Sequence, residues 1–183
     1  MVFEPRGEPA MDEPVTERGR GPRPRFLNAG SGHRADRVSL VNDALDTALR
    51  YSKAAMGNVQ LLDPEARGLR IAAQRGFSDA FLDYFEVVDD TTSACGQAML
   101  KGKAVVVSDV ASSAVFAGTE GREVMLQAGA RAVQSVPLTG PGGEILGVFS
   151  LHYRTPDSVL SADRRLLTAV ARRASLLLQA DGA

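Results

Sequence analysis

Ala132-Val-Gln-Ser-Val-Pro-Leu138, then Gly140-Pro141-Gly142-Gly143, then Ile145-Leu-Gly-Val-Phe-Ser-Leu-His-Tyr153 is the stretch on which the fold turns. Two apolar runs flank a glycine–proline turn, the pattern of an antiparallel hairpin. The second run is the most apolar in the chain, as expected of a central strand covered on both faces. Upstream, Asn58–Leu62 and Leu69–Arg75 flank Asp63-Pro64 and Gly68, which predicts a second hairpin broken at Gly76.

Helical patterns surround these hairpins. From residue 35 on, Val38, Val41, Leu45, Ala48 and Ala55 recur at helical spacing, with Leu49 beside them and Gly57 ending the helical region. Ser78–Phe85 and Ser93–Lys101 read as short helices with serine N-caps, the second closed by Gly102. Ala104–Val107 reads as a short strand, 108–121 as a loop and Gly121–Gln127 as a further short helix. Ser161 is expected to cap a long last helix whose stripe is Leu167, Val170, Ala171, Ala174, Leu177 and Leu178. Arg164, Arg165, Arg172 and Arg173 fall mostly off that stripe. The order α-ββ-αα-β-α-ββ-α predicts an α+β domain with an antiparallel sheet.

The chain has 183 residues, the size of one domain with a tail. Twenty-one basic residues oppose 22 acidic ones, which argues against nucleic acid held on a broad basic face. One cysteine permits neither an internal disulfide framework nor a multi-cysteine zinc site. The two histidines, His33 and His152, cannot build a polyhistidine metal centre. No secretory segment and no apolar run of spanning length is present, so no membrane partner and a cytoplasmic location are expected. Residues 1–33 hold five of the nine prolines and balance five arginines with five acids, which predicts a disordered leader. The expected organisation is a leader over 1–33, one domain over 34–180 and a tail over 181–183.

Taken in order, GNVQLLDP (57–64), LRIAAQRGF (69–77), FLDYFEVV (81–88), SACGQAML (93–100), VVVSDV (105–110), GARAVQSVPL (129–138) and GEILGVFSLHY (143–153) resemble a GAF domain. The likeness is greatest to modules found beside bacterial sensor kinases and PAS domains. It implies a central antiparallel sheet of five or six strands, with the first and last helices on one face. It also implies a ligand pocket under short helices on the other. The residue set of cyclic-nucleotide-binding members is not found. Cys95 is followed by Gly96, unlike the cysteine–histidine pair of tetrapyrrole carriers. Members that reduce free methionine sulfoxide need more than one cysteine, and haem-binding members use a pocket histidine, for which only His152 could serve.

Cys95 falls at the second position of a predicted helix, where the terminus lowers a thiol pKa. A reactive thiol and a small packed side chain are both open to it. His152 lies in phase with Ser150 on the central strand, and Asn58, Gln60 and Gln134 are polar residues within other apolar strands. These residues either satisfy one another or line a polar pocket. Tyr84, Phe85 and Phe116 are candidate pocket walls, and Arg131 a candidate contact for an anion.

The function expected is a stand-alone, non-enzymatic sensor or regulatory module for an unidentified small molecule or partner. With no room for an output domain, it would act in trans on a signalling protein such as a sensor kinase. A homodimer through the first and last helices is the expected switch. The alternatives are a thiol redox sensor or oxidoreductase centred on Cys95, and a sensor holding haem or another prosthetic group on His152.

Overall fold

A computed structural model describes residues 37–180; the predicted leader and tail, 1–33 and 181–183, lie outside the described residues. The two hairpins form as read. β1 (Met56–Asp63) and β2 (Gly68–Arg75) pair antiparallel, as do β5 (Ala132–Thr139) and β6 (Ile145–Tyr153). β6 also pairs with β1, with Asn58 opposite Ser150 and Met56 opposite His152, so the hairpins fuse into one sheet. β3 (Val87–Val88) and β4 (Val105–Val107) complete six antiparallel strands in the order β3-β2-β1-β6-β5-β4. β3 was absent from the predicted element order, because two residues carry no readable period.

One sheet face packs on α1 (Arg37–Tyr51) and the last helix, α5 (Ser161–Ala180). Val59, Val136, Leu138, Phe149, Leu151 and Tyr153 from the strands meet Leu40, Val41, Ala44, Leu45 and Ala48 of α1. Leu167, Val170, Ala171, Ala174 and Leu178 of α5 complete this core. The α1 stripe is rotated from the predicted one: Val38 is half exposed, Leu40 and Ala44 are buried instead, and Ala55 is exposed beyond the end of the helix. Both helix stripes pack within the core on this sheet face. Leu176 is the exposed large apolar residue of α5.

The other face is covered by α2 (Asp79–Tyr84), α3 (Ala94–Lys101), α4 (Glu120–Gln127) and the segment 108–119. Phe81, Phe85, Phe116 and Met125 pack there on Met56, Val133 and Val148. Ser93 caps α3 as predicted, its Oγ accepting the Gly96 N–H at 3.1 Å, and Gly102 ends it at φ 59°. Ser78 has the extended backbone of an N-cap but makes no side-chain cap bond. Thr119 caps α4, which begins at Glu120, one residue before the predicted start. α5 takes Ser161 itself as its first helical residue.

β6 lies close against β1 at Gly147. A Cβ there would collide with the main-chain carbonyl of Gln60, which cannot swing away as a side chain could. Gly147→Ala is expected to lower unfolding stability by about 1–3 kcal/mol, the usual cost of overpacking. Urea titration measures it, and an unchanged midpoint would mean that the two strands can part at this point.

Candidate functional site

A line of polar residues crosses the centre of the sheet. Asn58 on β1, Ser150 on β6 and Ser135 on β5 stand opposite one another in register. The next line is Met56, His152 and Val133. Side chains alternate along a strand, so both lines share a face. Met56 and Val133 place it on the side of the short helices.

Asn58, Val133, Ser135, Ser150 and His152 floor a small cavity of about 20 Å³, room for about one water molecule. Phe81, Phe85, Cys95, Phe116 and Met125 contribute to its walls. The Ser135 and Ser150 hydroxyls are 2.8 Å apart and bond to each other. Asn58 Oδ1 and both ring nitrogens of His152 are buried without a protein partner. His152 is 4% exposed, and its ring stands edge-on to Phe77 and Phe81 at centroid distances of 4.9 and 5.8 Å. Burial disfavours the imidazolium and holds the His152 pKa down at about 3. The ring is therefore neutral at pH 7, with one nitrogen a donor and the other an acceptor.

Cys95 occupies the second position of α3, as predicted, with Ser93 Oγ 3.2 Å from its Sγ. The expected lowering of its pKa does not prevail. Burial pushes the thiol up, against the opposing hydrogen bonds from Ser93 and the Gly96 N–H. A helix terminus stabilises a thiolate only to the extent that it outweighs desolvation.

Six of the residues singled out in the sequence meet at the cavity: Asn58, Phe85, Cys95, Phe116, Ser150 and His152. The remaining four sit elsewhere. Gln60 lies two residues along β1 from Asn58, opposite Val148, with its Nε2 directed at the Phe85 carbonyl 3.5 Å away. Gln134 stands opposite Leu151 on the helix-covered face, where its Nε2 donates to the Arg164 carbonyl at 3.4 Å. A site shared by Gln60, Gln134 and His152 is thereby ruled out. Tyr84 packs beside Gly121 and Phe85, and lines a separate recess with Asp89 and Asp90. Arg131 pairs with Asp109 at 3.1 Å. Burial alone would raise the Asp109 carboxyl, but the Ala111 N–H and Arg131 bring it below its usual value.

Sequence reading passed over Phe81, Met125 and Ser135. Ser135 carried a signal, since the β5–β6 hairpin sets it opposite Ser150. The faces of the short helices carried none.

No group of three or more His, Cys, Asp or Glu side chains placed to hold a metal ion occurs among the described residues. The residues around His152 do not fit a haem. The space beside the ring is about 20 Å³, and Phe81 and Phe116 close it.

A six-stranded antiparallel sheet with terminal helices on one face, and a cavity under short helices on the other, defines an α+β module built for two cores. A family model described as a GAF domain matches residues 34–179, and the chain belongs to this family. Solved structures agree with the fold. Free methionine-R-sulfoxide reductase from Neisseria meningitidis, solved with its substrate, is 19% identical with a TM-score of 0.70, over 87% of each chain. A domain assigned to a two-component sensor histidine kinase of Sinorhizobium meliloti is 19% identical with a TM-score of 0.66, over 79% of this chain and 91% of that one. A GAF domain/HD domain protein from Geobacter sulfurreducens is 17% identical with a TM-score of 0.66, over 82% of this chain and 97% of that one. Comparison with curated proteins found no significant match. The fold is thus common to sensor modules and to sulfoxide reductases. No helix among the described residues is long and apolar enough to cross a membrane.

The neutral His152 has a consequence for pH. An unfolded histidine takes up its proton near pH 6.5, whereas the folded one does so at about 3. Between these values the unfolded state binds more protons, so this contribution to stability is lost as the pH falls. The urea-unfolding free energy is expected to fall more steeply below pH 6.5 in the wild type than in His152→Gln. The slopes should differ by up to about 1.4 kcal/mol per pH unit. Equal slopes would show that His152 takes up its proton without unfolding.

Proposed function

We propose that the chain is a non-enzymatic regulatory module that takes up a small molecule in the cavity beneath α2, α3 and α4. One observation carries this reading: Asn58 Oδ1 and both His152 nitrogens face burial without a protein partner, inside aromatic and thioether walls. Apolar walls with a few placed polar groups are the usual make-up of a small-molecule site. The output is in trans, on a signalling protein such as a sensor kinase. The likeness to a domain assigned to a sensor histidine kinase supports that choice of partner. A cytoplasmic location suits such a partner. Pairing of two copies through α1 and α5 would use their outer faces, where Leu176 is exposed among Arg172 and neighbouring polar residues.

A second reading, thiol chemistry at Cys95, draws on the likeness to sulfoxide reductases. The raised thiol pKa speaks against it, as does a composition with no second cysteine to resolve an oxidised one.

Two measurements separate these readings. In thermal melts with a panel of small metabolites, at least one compound is expected to raise the Tm of the wild type. The same compound should leave Asn58→Leu unmoved. A ligand at a hundred times its Kd adds about 2.7 kcal/mol, which a melt resolves. In the second, Cys95 is expected to react with a thiol probe at pH 7 more slowly than free cysteine. Fast labelling, together with turnover of free methionine sulfoxide by an external thiol, would overturn the non-enzymatic reading.

A further inference from the structure

We propose that the cavity selects an uncharged single-ring compound carrying a hydrogen-bond donor beside an acceptor, such as a ring amide or a carboxamide. This inference rests on the reading of the cavity as a ligand site.

The lining contains no Asp, Glu, Lys or Arg. The nearest cation singled out by the sequence, Arg131, is tied to Asp109 and does not line the cavity. The start of α3 is the one electropositive feature at the wall, and it is occupied. The Gly96 N–H donates to Ser93 Oγ, which also lies 3.2 Å from the Cys95 sulfur. A carboxylate or phosphate entering here would lose its water and gain no counter-charge.

The unpaired atoms state what an occupant must bring. Asn58 Oδ1 accepts, so it needs a donor from the ligand. A neutral His152 offers one donor and one acceptor. Asn58 and His152 lie on β1 and β6 two residues apart in register, since Asn58 faces Ser150 and Met56 faces His152. Both can therefore address one edge of one small group. A donor and an acceptor side by side on that edge satisfy them together. Phe81, Phe85 and Phe116 form aromatic walls, which favour a flat ring over a bulky aliphatic.

The cavity holds about one water as it stands, so a ring enters by displacing its cover. Phe116, buried in this core, is a part of the cover that comes from a segment outside helix and strand. It sits in the segment 108–119, between Asp109–Arg131 and Val110–Arg131 contacts at one end and the Thr119 cap at the other. Its own backbone bonds, to Ser113 and Thr119, are local to that segment.

Matched probes test the charge rule. Nicotinamide against nicotinate, and uracil against orotate, differ chiefly by a carboxylate. The readout is the chemical shift of the His152 imidazole on titration of the full chain, with binding curves fitted at pH 7. Saturable shifts are expected with nicotinamide or uracil, with the paired carboxylate at least tenfold weaker. Asn58→Leu, confirmed folded by its amide spectrum, should weaken the neutral probe at least tenfold. Carboxylates that bind as tightly at His152 would overturn the charge rule and leave the ligand site standing. No saturable shift from either neutral probe at millimolar concentration overturns the proposal. If Asn58→Leu binds the neutral probe as tightly as the wild type does, the polar atoms serve no ligand and the ligand-site reading falls with it.

Discussion

From Gly147 to Tyr153, β6 is buried throughout, and its neighbours on both sides are strands. Such a strand has no solvent face, so each successive side chain has to suit one of two cores. Phe149, Leu151 and Tyr153 enter the core under α1 and α5, and Val148, Ser150 and His152 face the short helices. The rest of the architecture follows from this constraint. Two layers of helix are needed because two apolar surfaces need covering. Gly147 is needed where β6 lies closest to the Gln60 carbonyl.

The two cores are made differently. The helix side packs aliphatic and aromatic groups from long elements and also buries Thr47, Gln134, Asp163 and Ser175. The cavity side is assembled from short elements, with polar residues set into its floor. A buried polar atom left without a partner costs about 1–3 kcal/mol, which an apolar residue of the same shape would avoid. Asn58 and His152 carry three such atoms beside the cavity, while Thr47, Gln134 and Tyr153 carry others on the helix side. A fold selected for stability alone has no use for them, and strands this apolar could have carried leucine at either place. It is the cavity beside Asn58 and His152 that places the ligand here on the binding reading, and not in the recess beside Tyr84, whose Asp90 and Thr92 already bond to each other.

The fold was legible because periodicity survives in long elements. Both hairpins announced themselves by apolar runs about a turn, and α5 by a stripe that the structure buries as read. α1 was read with its stripe displaced, since Val38 and Leu40 fit helical spacing about equally well and only packing chooses between them. The site was legible in half. Asn58, Ser150 and His152 stood out as polar residues in apolar strands. Gln134 stood out equally and points the other way, while Ser135 beside it reaches the cavity. A strand buried on both faces lacks the polar–apolar alternation that would assign parity, so adjacent polar residues cannot be told apart. The covering residues Phe81 and Met125 come from helices of six and eight residues, too short for a stripe to define a face.

The same strand offers a route from the cavity to the helices. His152 and Tyr153 are consecutive, so backbone movement at one moves the other on the opposite face. Tyr153 is buried beside Asp163, and burial together with that carboxylate pushes its phenol pKa up. Asp163, in the first turn of α5, also accepts the Lys53 N–H at 3.2 Å, just past the end of α1. The ends of α1, β6 and α5 are thus joined around one buried carboxylate, one residue along the strand from the cavity floor. On the proposed function, an occupant that draws His152 towards it bears on this junction before any other part of the helix pair. The stripes of α1 and α5 are held by the sheet, so a signal expressed by these helices has to be a change in their relative placement, with both still docked.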